Sequence, residues 1–361
     1  IAARARRAAA SWLARQGARS PMAVTTRSEG LGLYDPRLMD DPFLADSGRR
    51  LVWRVDARMP AAPGRVAQHR LVLVDALGGD VLTSINRRES VTRRVCDNRS
   101  RRGKSFYCSA PFQRSEGQPP TGVKDVDAVY RIMGVTDDYF RDRFGRDGID
   151  GEGGRLKATV RHCPYSCPWN NAEWKWAQQQ AVFGRGWARA DDIVAHELTH
   201  GLLDAEAPLF YQYQSGAINE SYADVFGELI DLSYSGGKDT AGSRWKIGED
   251  TPVGAFRDMR YPGRFGHPDR VRSPRWHTGT SDDGGVHRNS GVGNKAAVLM
   301  AAGGNFRGYR VKAIGRERTA RVWYQALTTR LTSAANYIDL YDALNAACTD
   351  LDGSKGLTLK H

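Results

Sequence analysis

Two histidines four residues apart, His196 and His200, with Glu197 beside the first, are the side chains of this sequence best placed to do chemistry. On a helix the pattern H-E-x-x-H sends both imidazoles from one face, one turn apart, where they can grip a single ion. Glu197 then stands next to that ion, placed to take a proton rather than to ligate. Asp191 and Asp192 open the run, and an aspartate cap with acidic residues in the first turn favours a helix start there. The ordinary alternative is a surface helix with two solvated histidines.

A catalytic zinc takes three protein ligands and keeps a fourth position for water, so a third ligand must come from elsewhere. In one class it is the last histidine of H-E-x-x-H-x-x-G-x-x-H. Here Leu203 and Glu206 hold the glycine and histidine positions, which excludes that class. Twenty residues after His200 comes Glu220, inside the stretch Ser215 to Gly227, which reads as a second helix with apolar Ile218, Tyr222, Val225 and Phe226. Glu220 and Asp224 share one face of it. That spacing lets Glu220 bind a metal while Asp224 accepts a hydrogen bond from a ligating imidazole and fixes its tautomer. A carboxylate pair on an exposed helix face is the alternative.

The elements that must position these groups are legible more coarsely. The chain has 361 residues, 40% apolar and 26% charged, enough for two or three cores of a soluble globular protein. No apolar run is long enough to span a membrane, and the opening stretch lacks the apolar centre of a signal peptide. The net charge of +12 comes largely from arginines such as Arg4, Arg6, Arg7, Arg93, Arg94, Arg101 and Arg102. They are not interleaved with aromatics and match no nucleic-acid motif, so no nucleic-acid partner is expected. Of five cysteines, Cys96 with Cys108 and Cys163 with Cys167 lack zinc-ribbon spacing and read as two local disulfides formed in an oxidising compartment. Cys348 is left over, as a buried free thiol or with a partner beyond this sequence.

Residues 1 to about 90 read as a separate unit, with β-rich runs at Leu51–Val55 and Arg70–Asp75 and a Gly78-Gly79 turn into Val81–Ile85. Arg87 to Arg102 reads as an exposed linker open to proteolysis. From Val123 the apolar period is helical, a strand is expected at Leu156–Val160, and helices dominate beyond Asp191.

Several blocks in order then carry a resemblance: Asn170 to Trp174, His196 to His200, Ser215 to Gly227, Ile247 to Asp250, Phe256 to Met259 and Gly284 to Gly291. From about Val123 onward the chain resembles the thermolysin family of zinc endopeptidases. The resemblance implies an α+β fold, a β-rich N-terminal and a mainly helical C-terminal catalytic domain preceded by a small α/β pro-segment. The expected bounds are 1–90 for the end of the pro-segment, 91–200 and 201–361. It implies zinc held by His196, His200 and Glu220, with Asp224 behind an imidazole. Glu197 is implied as the base that takes a proton from zinc-bound water and delivers it to the leaving amine. His287 and Tyr211 would donate to the oxyanion, with Asp282 orienting His287 and keeping it protonated. Arg257 would hold a substrate carbonyl, and Asn171 and Ala172 would bind the peptide as an extended strand. Ile193, Ile247 and Phe256 match an apolar pocket for the residue after the scissile bond, implying cleavage on the amino side of bulky apolar residues. Asp192, Asp231 and Glu249 match acidic calcium ligands, although Arg244 and Lys246 stand near where further acids are usual. Glu173 replaces an aromatic residue of the pattern. The expected protein is a secreted, monomeric zinc endopeptidase whose pro-segment is its intramolecular inhibitor and chaperone, with no membrane partner. A zinc exopeptidase using Glu173 to anchor a substrate amine, and a catalytically silent binding module, are the rival readings.

Overall fold

Apolar residues alternate from Leu51 to Met59 and run together at Leu71–Val74, making strands Arg50–Met59 and Gln68–Asp75 that bury side chains on both faces. In the computed structural model, which describes residues 2–15, 24–36, 48–59, 68–86, 91–234 and 239–352, these are the central strands of the first of two units, Ile1–Ser90 and Val91–His361. Helix α1 (Ala2–Arg15) is followed by β1 (Thr25–Tyr34), β2 (Arg50–Met59), β3 (Gln68–Asp75) and β4 (Val81–Asn86), an antiparallel sheet in the order β1-β2-β3-β4. Ala5, Ala9 and Leu13, four apart on α1, close over Val55, Ala57, Met59, Val72 and Val74. The hairpin expected at Gly78-Gly79 is present. Asp75 Oδ1 accepts from the amides of Leu77 and Gly78, and Gly79 takes the left-handed φ of +86° that the turn requires.

The second unit runs through β5 (Arg93–Asp97), β6 (Arg114–Ser115), α2 (Lys124–Phe144), β7 (Leu156–His162), β8 (Ala172–Lys175), β9 (Gln180–Gly184), α3 (Asp191–Glu206), α4 (Tyr213–Asp231), β10 (Lys246–Ile247), β11 (Arg257–Asp258), α5 (Ser281–Asn289), α6 (Gly291–Ala302), β12 (Gly304–Phe306), β13 (Tyr309–Val311), α7 (Arg316–Thr329) and α8 (Tyr337–Asp350). Five strands form a mixed sheet, β6-β5-β7-β9-β8, parallel at its centre and antiparallel at both edges. Parallel neighbours need a long crossover, and α2 supplies one between β5 and β7. It buries Val126, Val129, Tyr130, Met133 and Phe140 and ends at Gly145 in a left-handed cap. One apolar core continues from this sheet through α2, α3 and α4 to α6, α7 and α8. The fold is α+β, and the expected division at 200/201 falls inside α3. Cys96–Cys108 and Cys163–Cys167 are disulfides, and Cys348 is a half-buried free thiol.

One expectation is overturned. Of the arginine-rich stretch read as a linker, residues 87–90 lie outside the described residues, but Arg93–Asp97 is strand β5, inside the sheet. Its polarity misleads because the charge is paired. The Arg93 guanidinium binds both oxygens of Glu116 and stacks 3.9 Å from the Tyr130 ring, with Arg114 stacked 3.8 Å from the same ring.

The close approach of α3 and α4 depends on Gly227. A Cβ there would lie 2.7 Å from the Asp192 carbonyl oxygen and 3.5 Å from the His196 Cβ. Gly227→Ala therefore pushes the two helices apart, and a loss of about 1–3 kcal/mol in stability is expected by denaturant unfolding.

Candidate active site

Helix α3 is buried from Asp191 to Leu203, held by Ile193, Val194, Leu198 and Leu202 on several faces, so the side chains at 196, 197 and 200 are fixed with little room to turn. Helix α4 packs alongside and carries Glu220 and Asp224, both fully buried. Between the helices, His196 Nε2 and His200 Nε2 are 3.1 Å apart. Glu220 Oε2 is 3.5 Å from the first nitrogen, and Oε1 is 3.4 Å from the second. Donors bonded to one zinc at about 2.0–2.1 Å in a tetrahedron sit about 3.3 Å from each other, so these three fit that ion. Glu220 Oε2 is buried with no hydrogen-bond partner among the described residues, as expected of an oxygen whose partner is a cation.

Each imidazole is held from behind. His196 Nδ1 lies 3.0 Å from Asp224 Oδ1, and His200 Nδ1 is 2.7 Å from Asn219 Oδ1. Acceptors at both Nδ1 atoms leave both Nε2 lone pairs for an ion. Asp224 also accepts from Arg257 through Nε and Nη2, at 2.8 and 2.6 Å, and from Asn294 Nδ2 at 2.8 Å. Neither asparagine was found from sequence. Asn219 directly precedes Glu220 and offered a weak local signal, whereas Asn294 arrives on α6 and offered none. The charges follow from this packing. Burial works against ionised Glu220, yet His287, His200, His196 and Arg257 outweigh it and hold the carboxyl down at about 2. Burial likewise opposes the Asp224 anion, which Arg257 and His196 keep far below the usual carboxylate range. Burial lowers His200 to about 4, so its ring is neutral.

Around this centre stand the other expected groups. Glu197 is buried and accepts no hydrogen bond from the described residues, and desolvation lifts it to about 7. The Tyr211 hydroxyl donates to Glu220 Oε1 at 2.5 Å and lies 3.2 Å from His287 Nε2. Asp282 Oδ1 is 2.6 Å from His287 Nδ1, while its Oδ2 accepts from the His287 amide. Glu220 above all, and then Asp282, raise His287 to about 9 against the effect of burial. The approach to His287 is left-handed at four successive residues, Asp282, Asp283, Gly284 and Gly285, with φ of 56°, 47°, 87° and 82°. Aspartate and glycine are the residues that tolerate this conformation.

The substrate-binding set is brought together unevenly. Ala172 opens β8, an edge strand paired only with β9, and Asn171 just before it is exposed with its carbonyl bonded to Gly184. Trp174 anchors that strand, its ring lying where a Cβ on Gly201 of α3 would be 2.7 Å away. Arg257 commits Nε and Nη2 to Asp224. Phe256 is partly buried and stacked on Trp187 at 5.7 Å, but Ile193 and Ile247 lie inside the core. Glu173 is paired with Lys175 at 2.7 Å.

The acidic group is also rearranged. Asp231 and Glu249 converge, joined by Asp239, which sequence reading missed. Asp192 instead accepts the amides of Ile193 and Gly248 at 2.7 and 2.6 Å, although its charge still bears on Asp231 and Glu249. Burial and mutual repulsion raise both of those carboxyls. Glu228 Oε2, Asp239 Oδ2 and Glu249 Oε2 are buried without partners among the described residues.

Comparison with known proteins fits this geometry. Residues 86–204 match the family described as thermolysin metallopeptidase, catalytic domain, and residues 207–361 match its alpha-helical domain. A zinc metalloproteinase of Renibacterium salmoninarum is 38% identical over 318 residues, covering 78% of this chain and 57% of that protein. The thermolysin of Alicyclobacillus acidocaldarius subsp. acidocaldarius is 40% identical over 241 residues, 63% of this chain and 42% of its own. The chain thus spans about half the length of the curated relatives it matches. Among solved structures, the precursor of protealysin, a metalloproteinase from Serratia proteamaculans, is similar with a TM-score of 0.61 and 30% identity, over 73% of this chain and 84% of that one.

Asn219 would act on a bound zinc only through His200. Asn219→Ala should weaken zinc binding by about 10–100-fold while leaving one zinc per chain at saturation, as read by competition with a chromogenic chelator.

Proposed function

The chain belongs to the thermolysin family of metallopeptidases, and we propose that it is a zinc endopeptidase that hydrolyses internal peptide bonds. The observation that carries this is the convergence of His196, His200 and Glu220 donors within 3.5 Å of one another, with Glu197 on the same helix. Zinc bound there would act as a Lewis acid, polarising a peptide carbonyl and acidifying a water. The remaining work falls to the chain. The free edge of β8 takes up the peptide as an added strand. Glu197 accepts a proton from the attacking water as the C–O bond forms, and passes it to the nitrogen as the C–N bond breaks. Burial raises the Glu197 carboxyl, which favours its taking up that proton before handing it on. Tyr211 and cationic His287 donate to the carbonyl oxygen as it becomes anionic, an effect worth about 3 kcal/mol for one such donor. Arg257 Nη1 supports a neighbouring substrate carbonyl. Phe256, beside Arg257, supports a preference for an apolar residue after the scissile bond.

The likeness to a protealysin precursor supports reading the first unit as a pro-segment that inhibits the site and assists folding. Two disulfides favour an oxidising, extracellular setting, and no described helix is long and apolar enough to cross a membrane. We read the enzyme as a monomer. The exopeptidase reading is weaker because Glu173, its proposed amine anchor, is paired with Lys175. Oxygen ligands on Asp231, Asp239 and Glu249, with unpartnered buried atoms among them, suit one calcium ion.

Three experiments test these readings. Glu197→Gln should keep its zinc and lose about 10²–10⁴-fold in kcat on an end-blocked peptide, and phenanthroline should abolish wild-type activity. Retention of activity in either case refutes the mechanism. Calcium at 100 times its Kd should raise unfolding stability by about 2.7 kcal/mol, and Asp231→Asn with Glu249→Gln should remove that response.

A further inference from the structure

Trp176 directly follows the last residue of β8 and is 38% exposed. Its neighbour is Tyr211, with ring centroids 5.7 Å apart and planes at 87°. Tyr211 in turn meets His287 ring to ring at 6.2 Å, and its hydroxyl is bonded to Glu220. An aromatic ridge therefore runs from the edge strand to the helical side of the site. Its outer end, Trp176, is a part-exposed indole beside the reacting groups, able to contact a ligand ring.

The turn bearing this indole is held in place. The Trp176 carbonyl accepts both the backbone amide and Nε2 of Gln179, at 3.2 and 2.8 Å. The same Nε2 donates to Asp204 Oδ2 on α3 at 2.5 Å. The turn is thus tied to the helix that carries His196 and His200, and a surface ordered in advance binds without a large entropic cost.

Resting on the peptidase reading above, we propose that Trp176 determines specificity: its part-exposed indole receives an aromatic side chain of the peptide, on the side of the scissile bond that faces Tyr211. The Tyr211 hydroxyl marks the reacting carbonyl, and the indole lies one ring beyond it. An extended peptide advances about 3.3 Å per residue, which puts its first or second side chain on that side within reach. An aromatic partner gains both burial and ring contact, which together amount to roughly tenfold in kcat/KM over alanine.

The test uses the full zinc-loaded chain and quenched fluorescent peptides with one fixed cleavage site. Alanine, leucine or phenylalanine is placed at each of the two positions on either side of it. Wild type should prefer phenylalanine about tenfold at one position on one side. Trp176→Ala should erase that ratio through KM, and Trp176→Phe should keep most of it. Absence of the preference in wild type, its survival in Trp176→Ala, or an equal fall in kcat on every peptide overturns the proposal; the last makes Trp176 only a support for Tyr211. Failure of wild type to cut any peptide removes the peptidase reading itself, and the inference with it.

Discussion

Ionised side chains without water govern this structure. Glu220 and Asp224 are fully buried carboxylates a turn apart on α4, and a buried charge is tolerable only when donors or cations surround it. Asp224 meets Arg257, Asn294 and His196, which draws β11, α6 and α3 to one point. Glu220 meets Tyr211 and the two imidazoles and still keeps one oxygen without a hydrogen bond among the described residues. Deleting one partner of such a set leaves a bare charge, typically at a cost of about 3–5 kcal/mol. The demand for pairing that stabilises the helical half is therefore the same demand that readies three donors for a dication.

Backbone detail turns this electrostatic demand into distances. Gly227 lets α4 approach α3 until the ligand atoms are about one coordination edge apart, and Gly201 lets Trp174 bring the edge strand down on the same helix. The left-handed run before His287 does comparable work. Asp282 and Asp283 adopt a conformation that disfavours most side chains, and surrounding contacts hold it. Asp282 accepts twice from His287, Asn289 Nδ2 donates to the Gly284 carbonyl, and the Tyr213 ring lies where a Cβ on Gly284 would be. That run sits directly before His287, whose Nδ1 is 2.6 Å from Asp282 Oδ1.

The sheet half contributes an edge rather than ligands. Parallel strands at its centre are covered by α2 and α3, and β8, antiparallel, pairs among the described residues with β9 alone. Local disulfides close the loops after β5 and β7, shrinking the unfolded ensemble. The second acidic cluster lies near the start of α3, where Asp192 takes up two backbone amides.

Residue spacing alone was enough to pair His196 with His200, since a helix can only present positions four apart on one face. It was also enough to put Glu220 and Asp224 together, and to pair the cysteines, because local separations bound what the chain can reach. Polarity misled at Arg93, whose charge is hidden by Glu116 and Tyr130, partners distant in sequence. Asn294, Asp239 and Trp176 carry no local pattern; each matters only through a contact made by another element. The burial of Ile193 and Ile247 was equally hidden, because an apolar residue reads the same whether it lines a pocket or fills a core. Sequence determined which groups share an element and which chemistry they could support. Tertiary packing alone decided their distances, their protonation and their remaining free atoms, because those depend on desolvation and on neighbours that no local spacing specifies.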